Sequence, residues 1–210
     1  LLPYLAGGTA VSVRPTVFCP RVDAPPKIDG KIDDACWIQA SWMMNYQYPS
    51  GTKPAHEETE AYICHDDVNL YLAFNCHDSR IADLKACATV RDGNVWSDDS
   101  VEIFLDPELT RRYYMQLIVN PHGVQQDIRV TEIVDNAWNI AWQSAGYVGP
   151  DYWSVELAIP FAQLGVDSPK PGTRWGVNFN RTMRDWNLSC WSPLGREQYA
   201  TPTRFGDMVF

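Results

Sequence analysis

The sequence lacks a long run of apolar residues and carries little positive charge. Its 210 residues contain 17 Lys and Arg against 26 Asp and Glu, which gives a formal net charge of −9. A helix needs about 20 consecutive apolar residues to cross a membrane. Nucleic acid and anionic membrane surfaces both attract basic patches rather than acidic chains. We therefore expect no membrane span and no nucleic-acid partner.

The sequence also lacks the compact motifs of common metal and catalytic sites. Its six cysteines are scattered and form no C-x-x-C pair, which argues against a zinc site. No EF-hand spacing, no closely spaced pair of histidines and no nucleophile elbow is present. An even number of cysteines allows one or two disulfides in an exported chain, but spacing does not determine their pairing.

Aromatic residues are abundant, with nine tryptophans and ten tyrosines. Such residues concentrate in β-structure and in binding surfaces. Glycine and proline interrupt residues 1–26, which are predicted to form an extended N-terminal arm. Residues 27–210 are predicted to form one domain. The first five residues are too short for a signal peptide but fit the remnant of a processed one.

Short segments of alternating apolar and polar residues, joined by turn-forming residues, dominate the rest of the chain. The predicted strands are 60–64, 68–76, 100–106, 113–120, 124–130, 141–148, 152–159, 175–183 and 207–210, and the predicted short helices are 33–40, 81–85 and 161–164. Many short strands joined by turns indicate an all-β fold. We predict an antiparallel β-sandwich of two packed sheets, jelly-roll or immunoglobulin-like, with a barrel as the alternative.

The segment 96–107 combines a tryptophan, paired acids and a strand. Alternation along residues 100–106 places Glu102 on the opposite face from Val101 and Ile103. A carboxylate on a sheet surface below Trp96 suits a sugar, because the ring covers the apolar C–H face and the acid accepts hydrogen bonds from hydroxyls. The alternative is a surface strand beside a solvated acidic loop.

Several phrases, in this order along the chain, resemble the family 9 carbohydrate-binding modules. They are 28–37 with its IDG and DD; 70–74 followed by 76–78; Trp96 with 98–102 and 104–106; 153–161; 175–179 with Arg181; 191–193; and 205–206. The resemblance covers roughly residues 26–210. It implies a β-sandwich of two antiparallel sheets. Characterised members grip the end of a glycan chain between two tryptophan rings, and structural calcium ions occur in the family.

This resemblance assigns roles to residues of the second half. Trp96 is similar to the first ring and Glu102 to the nearby hydroxyl acceptor. Trp191 is similar to the second ring, with Trp186 as the alternative. Asn187 is a candidate amide partner for the sugar.

Arg181 resembles a basic donor to the ligand, but alternation places it on the apolar face of its strand. A buried guanidinium there needs a carboxylate partner, for which Glu102 is a candidate. Glu102 can also hold both roles, as hydroxyl acceptor and as ion-pair partner.

Calcium is the cofactor that the resemblance allows, and no organic cofactor is expected. Asp78, Asp98 and Asp99 are the candidate ligands, since hard cations prefer oxygen-rich loops at strand ends. Solvated turn acids are the alternative for each of them.

The leading hypothesis is a non-catalytic domain that binds an oligo- or polysaccharide, possesses no enzyme activity and accompanies a glycoside hydrolase as its module or partner. We expect an extracellular, periplasmic or cell-surface location. One alternative is a haem-binding electron-transfer domain of related sandwich fold, with Met115 and His122 as available ligands. Another is a glycoside hydrolase using Glu102. Its facing partner Asp106 lies four strand residues away, about 13 Å, beyond the ~5–10 Å that glycosidases need.

Overall fold

The computed structural model describes residues 14–184, 187–195 and 200–210. Its strands and helix are β1 (Thr16–Phe18), α1 (Cys36–Gln39), β2 (Ser41–Met43), β3 (Thr59–His65), β4 (Asn69–His77), β5 (Ser100–Asp106), β6 (Tyr114–Val119), β7 (Gln125–Val130), β8 (Val134–Asp135), β9 (Gln143–Val148), β10 (Tyr152–Pro160), β11 (Arg174–Met183), β12 (Asn187–Cys190) and β13 (Gly206–Val209). Short 3-10 helices lie at Ile81–Asp83, Val95–Ser97, Phe161–Leu164 and Pro202–Arg204.

The strands form two sheets. The larger sheet has eight strands in the order β1-β13-β11-β5-β6-β7-β8, with β12 also paired to β11. The smaller sheet has five strands in the order β2-β3-β4-β10-β9. All pairs are antiparallel except β1 with β13. The predicted antiparallel β-sandwich is therefore confirmed, with one parallel pair at its edge.

The core lies between the sheets and follows from alternation along the strands. In β10, Trp153, Val155 and Leu157 point inward and are fully buried. They pack against residues such as Phe74 and Phe179 in a single large cluster. Alternate inward side chains thus bury the apolar set of each strand and leave the other set on the outer face.

Part of the outer face of the five-stranded sheet is covered by the segment 22–40. The carboxylate of Glu156 in β10 accepts hydrogen bonds from the backbone of Asp29 (2.9 Å) and Gly30 (2.8 Å) and from Nε1 of Trp37 (2.8 Å). Gly30 has a φ of 88°, and a Cβ there would meet the backbone of Gly146 at 2.5 Å. The covering segment 22–40 is therefore held against β10 by these hydrogen bonds and against β9 by the close approach of Gly30 to Gly146.

Residues 191–195 and 200–205 cover part of the outer face of the eight-stranded sheet. Phe104 of β5 and Cys190 of β12 are buried there with Leu194 and Phe205. The neighbouring part of the same face, toward residues 95–97, stays open and is described below.

The structure differs from the sequence-based expectations at several short elements. The strands β2, β8 and β12 were not predicted, and helix α1 has four residues where the sequence predicts eight. In the predicted arm, residues 16–18 form the edge strand β1 against β13. All six cysteines are free thiols, and only Cys87 is exposed. None of the helices in the described ranges has the length and apolar character that a membrane crossing requires.

Candidate functional site

The open part of the eight-stranded sheet holds a shallow depression of about 260 Å³. Its lining combines one indole, three polar side chains and three aliphatic ones: Trp96, Glu102, Gln116, Ile118, Ile128, Thr182 and Leu188. These residues come from β5, β6, β7, β11 and β12 and from the 3-10 helix before β5. Side chains distant in sequence thus meet because their strands are neighbours in one sheet.

Trp96 is presented at the rim by a short, well-anchored turn. Asn94, which precedes the turn, adopts a left-handed φ of 59°, a conformation that asparagine tolerates better than most residues. Val95 is fully buried against Ile118 and its neighbours, while Trp96 remains 44% exposed. One residue of the turn is therefore an apolar anchor, and the next offers its ring to solvent.

Asp98 fixes the position of this turn from behind. Its carboxylate accepts hydrogen bonds from the backbone N–H groups of Cys87 and Ala88, both at 2.9 Å, and from Nδ2 of Asn120 at 3.1 Å. Three donors on a fully enclosed carboxylate hold the chain on both sides of Trp96.

Glu102 forms the floor of the depression and is only 4% exposed. It accepts hydrogen bonds from Nε2 of Gln116 (2.7 Å) and Oγ1 of Thr182 (3.0 Å). Burial raises the pKa of Glu102 to about 7, although the bonds from Thr182 and Gln116 act in the opposite direction. The sequence predicts a surface carboxylate, whereas the structure shows an enclosed one with neutral donors.

Asn180 lies beside Glu102 as its cross-strand neighbour on β11. It is fully buried, and within the described part of the chain neither its amide nitrogen nor its amide oxygen has a hydrogen-bond partner. A buried amide without partners costs free energy. An unsatisfied donor and an unsatisfied acceptor therefore lie beside Glu102, at the floor of the depression.

The structure places Arg181 away from this depression. The β5–β11 register pairs Arg181 with Val101, so its side chain faces the core, opposite to Glu102. Its guanidinium donates to the backbone oxygens of Glu58 (3.0 Å) and His77 (2.8 Å) and lies 5.8 Å from the ring centre of Trp153. The expected ion pair with Glu102 is wrong, because strand alternation sends the two side chains to opposite faces.

Trp191 also lies outside the depression. Its backbone N–H donates to the backbone oxygen of Phe179, and the ring centres of Trp191 and Phe179 are 5.8 Å apart. It lines a different cleft, with Arg14 and Arg204. Trp191 therefore packs against the edge of the core and does not share the depression of Trp96.

Of the two remaining ligand candidates, Asn187 and Trp186, only Asn187 lies within the described residues. Asn187 begins β12 and accepts a hydrogen bond from the hydroxyl of Tyr48 at 3.2 Å. The next residue, Leu188, lines the depression. Trp186 lies outside the described residues.

The candidate calcium ligands are held by protein donors. Asp78 accepts two hydrogen bonds from the guanidinium of Arg184, both at 2.6 Å, and Asp99 accepts one at 3.2 Å and another from the backbone of Lys85 at 2.9 Å. This arrangement holds the pKa of the Asp78 carboxyl below its ordinary value despite burial.

A guanidinium between two carboxylates puts positive charge where a calcium ion needs negative ligands. Asp98 lies on the far side of the turn with its own three donors. Among the described residues, no three His, Cys, Asp or Glu side chains cluster in a way that suits a metal ion. These three aspartates therefore fit a structural role better than a calcium site.

The residues named for the alternative haem hypothesis lie apart. Met115 is packed against the core between the sheets, whereas His122 is exposed in the turn after β6. The arrangement gives no common face for two axial ligands.

Gln116, Thr182 and Leu188 are site residues that the sequence-based prediction missed. Alternation does place Gln116 on the outer face of β6, and the pairing Glu102 with Ile118 brings it next to Glu102. The sequence does not reveal this register, because strand partners are not encoded by periodicity alone.

Comparison with known proteins matches this architecture. The family described as carbohydrate family 9 binding domain-like matches residues 28–210. A family 9 module from Caldicellulosiruptor kristjanssonii, solved in complex with cellotriose, has a TM-score of 0.71 at 19% identity, covering 93% of each chain. The module from the same organism in complex with glucose has a TM-score of 0.69 at 20% identity, covering 93% of this chain and 95% of the other.

A protein from Bacteroides uniformis, for which carbohydrate binding has been suggested, has a TM-score of 0.73 at 19% identity, covering 93% of this chain and 98% of the other. At these identities the likeness shows the fold alone. No curated protein sequence matches significantly.

The chain is thus a two-sheet β-sandwich with a shallow depression on the outer face of its larger sheet. The match over residues 28–210 shows that the chain belongs to the carbohydrate family 9 binding domain-like family.

Proposed function

We propose that this protein is a non-catalytic carbohydrate-binding module whose ligand occupies the Trp96 depression. The observation that carries the proposal is the pairing of a 44% exposed indole with a buried carboxylate and two neutral polar groups. The indole offers an apolar face to the C–H side of a sugar ring. Glu102, Gln116 and Thr182 offer acceptors and donors to its hydroxyls.

Family membership supports the same ligand class. Two structural neighbours hold cellotriose and glucose, so β-linked glucose oligomers are the first ligands to test. Because sugar hydroxyls give up water on binding, we expect affinities in the micromolar range, on the order of −8 kcal/mol or weaker.

We further propose that the ligand is a chain end held between two rings, with Trp186 as the second ring. Trp186 directly precedes Asn187, and the next residue, Leu188, lines the depression. Trp191 is a poorer choice, since it packs on Phe179. Export of the chain and association with a glycoside hydrolase belong to the same proposal, and the resemblance to the family 9 modules is what supports them.

Calorimetric titration with cellotriose, glucose and a set of xylo-, manno- and gluco-oligosaccharides tests the proposal. We expect micromolar binding of at least one ligand. Trp96→Ala should weaken it at least about 30-fold, as expected for a central aromatic contact. Phe18→Ala, which removes a 57% exposed ring on β1, should leave the affinity unchanged.

The proposal fails if none of these sugars binds, or if Trp96→Ala binds as tightly as the wild type. Trp186→Ala separates the two-ring hypothesis from the depression itself. Unchanged binding in that variant overturns the second ring and leaves the role of Trp96 standing.

A further inference from the structure

The five-stranded sheet carries a second groove, on the side of the sandwich opposite to the Trp96 depression. The groove has a volume of about 410 Å³, within the ~300–1,000 Å³ typical of small-molecule sites. It exists because the covering segment 22–40 is tied to Glu156 and covers only part of the outer face. The uncovered part belongs to β3, β4, β9 and β10.

A row of polar side chains crosses the sheet here at one register. Ser154 within the row is buried and donates its hydroxyl to the backbone oxygen of Gly30 at 2.6 Å. Glu60 lies opposite Asn75, Asn75 opposite Ser154, and Ser154 opposite Tyr147. Asn75 donates to the Glu60 carboxylate at 2.9 Å, which orients its amide. Because adjacent strands lie about 4.8 Å apart, the row extends about 14 Å across the sheet.

Aromatic rings flank this row at both ends. Tyr147 is 37% exposed and its ring centre lies 6.1 Å from that of Tyr152, while Lys31 lies 5.4 Å from the Tyr147 ring centre. At the other end, Tyr62 lies opposite Trp42 of the edge strand β2. Trp42 is 55% exposed, so its ring is accessible to a ligand.

The chemistry of this face suits a polyhydroxylated chain better than an apolar peptide. The Asn75 amide and the Glu60 carboxylate lie between its rings, and Lys31 and Asp33 also line the groove. Ring faces spaced along hydrogen-bonding groups match the alternating C–H and O–H surfaces of a polysaccharide. A ligand lying across the row from β9 toward β2 reaches an edge strand at each end, so it need not present a chain end.

We propose that this tyrosine-lined groove is a second carbohydrate site, which binds an internal segment of a polysaccharide chain through Tyr147, Tyr62 and Trp42. The site is independent of the Trp96 depression, because the two lie on the outer faces of different sheets. A module with both sites holds one chain by its end and another along its length, which raises avidity toward an insoluble or aggregated polymer.

Affinity electrophoresis in gels that contain hydroxyethylcellulose, xylan, glucomannan or a β-1,3-glucan tests this proposal. The starting protein is Trp96→Ala, in which the first site is removed. We expect at least one polymer to retard it. Adding Tyr147→Ala or Trp42→Ala should weaken the apparent affinity about fivefold or more, as for a contact ring of a binding surface. Adding Phe18→Ala should change nothing.

Retardation of Trp96→Ala by none of the four polymers overturns the second site, as does equal retardation of Trp96→Ala with and without the two groove substitutions. Circular dichroism of each variant confirms that it is folded. The proposed function is judged separately, by oligosaccharide binding of the wild type and its loss in Trp96→Ala, so the failure of one site is distinguishable from the failure of the other.

Discussion

Replacement of Glu102 by glutamine tests the physical basis of the depression. Glu102 is nearly inaccessible and its hydrogen-bond partners are neutral. Its carboxylate is therefore desolvated with no compensating positive charge from the described residues, and burial raises its pKa to about 7. Glutamine retains the shape and both partners, since its oxygen can accept from Gln116 and its amide can donate to the hydroxyl of Thr182.

The magnitude follows from the difference between the folded and unfolded pKa. The ordinary value for glutamate is about 4.3 to 4.5, and one pKa unit corresponds to about 1.4 kcal/mol. Ionising Glu102 in the folded protein therefore costs about 3 kcal/mol. Because the pKa is higher in the folded state, protonated Glu102 adds this amount to the unfolding free energy below about pH 4.5. The contribution is lost as the pH rises through 7.

Urea unfolding of the wild type and of Glu102→Gln, followed by tryptophan fluorescence between pH 4 and 8, measures this effect. We expect the difference in unfolding free energy between the two proteins to shift by about 3 kcal/mol in favour of Glu102→Gln as the pH rises. Glu156, whose pKa burial also raises, is common to both proteins and cancels in the difference. A difference that stays constant over this range refutes the desolvated carboxylate.

Three further predictions concern the sugar affinity and two groups of buried polar side chains. The affinity for sugar should rise as the pH increases through about 7, because sugar hydroxyls donate hydrogen bonds to the ionised form of Glu102. Titration calorimetry at pH 5.5 and 8.5 measures this change, and a pH-independent affinity contradicts it. Asn180→Leu removes two buried polar atoms that have no partner among the described residues and should raise the unfolding free energy measured in urea by about 1 kcal/mol or more; a lower unfolding free energy contradicts this reading of the amide. Arg184→Met leaves Asp78 and Asp99 buried without their cation and should cost about 3–5 kcal/mol at pH 7. That loss should diminish at acidic pH, as the pH falls through the lowered pKa of Asp78 and this carboxylate protonates in the wild type. Arg112→Ala, which breaks an exposed ion pair, should cost less than about 1 kcal/mol.

Periodicity in the sequence predicted the sandwich because its long strands bury one face each. Strands such as β4, β5, β10 and β11 alternate over seven or more residues, and their predicted bounds lie within a residue of those observed. The missed strands β2, β8 and β12 have two to four residues. Such lengths contain too few alternations to show a period.

The site was predictable in part. Trp96 and Glu102 come from one contiguous segment, and alternation correctly separates the side chain of Glu102 from the core set of β5. Gln116 and Thr182 reach Glu102 only through the pairing of β5 with β6 and β11, and register between strands is decided by packing that a single sequence does not display.

For Arg181 the sequence gives two conflicting predictions. The resemblance makes it a donor to the ligand, whereas the period of its own strand directs it to the core, and the period determines its position. Alternation through β11 directs its guanidinium into the sandwich, where backbone oxygens of Glu58 and His77 accept its hydrogen bonds. Local geometry is therefore the safer guide where a motif and a period disagree.

The indole N–H signal of Trp96 in a ¹H–¹⁵N correlation spectrum, assigned by its absence in Trp96→Ala, tests the central claim most directly. Titration with cellotriose, or with the tightest oligosaccharide found by calorimetry, should shift this signal with the same dissociation constant that calorimetry gives. Tight sugar binding that leaves the Trp96 indole unmoved, while other signals shift, contradicts the placement of the ligand in this depression.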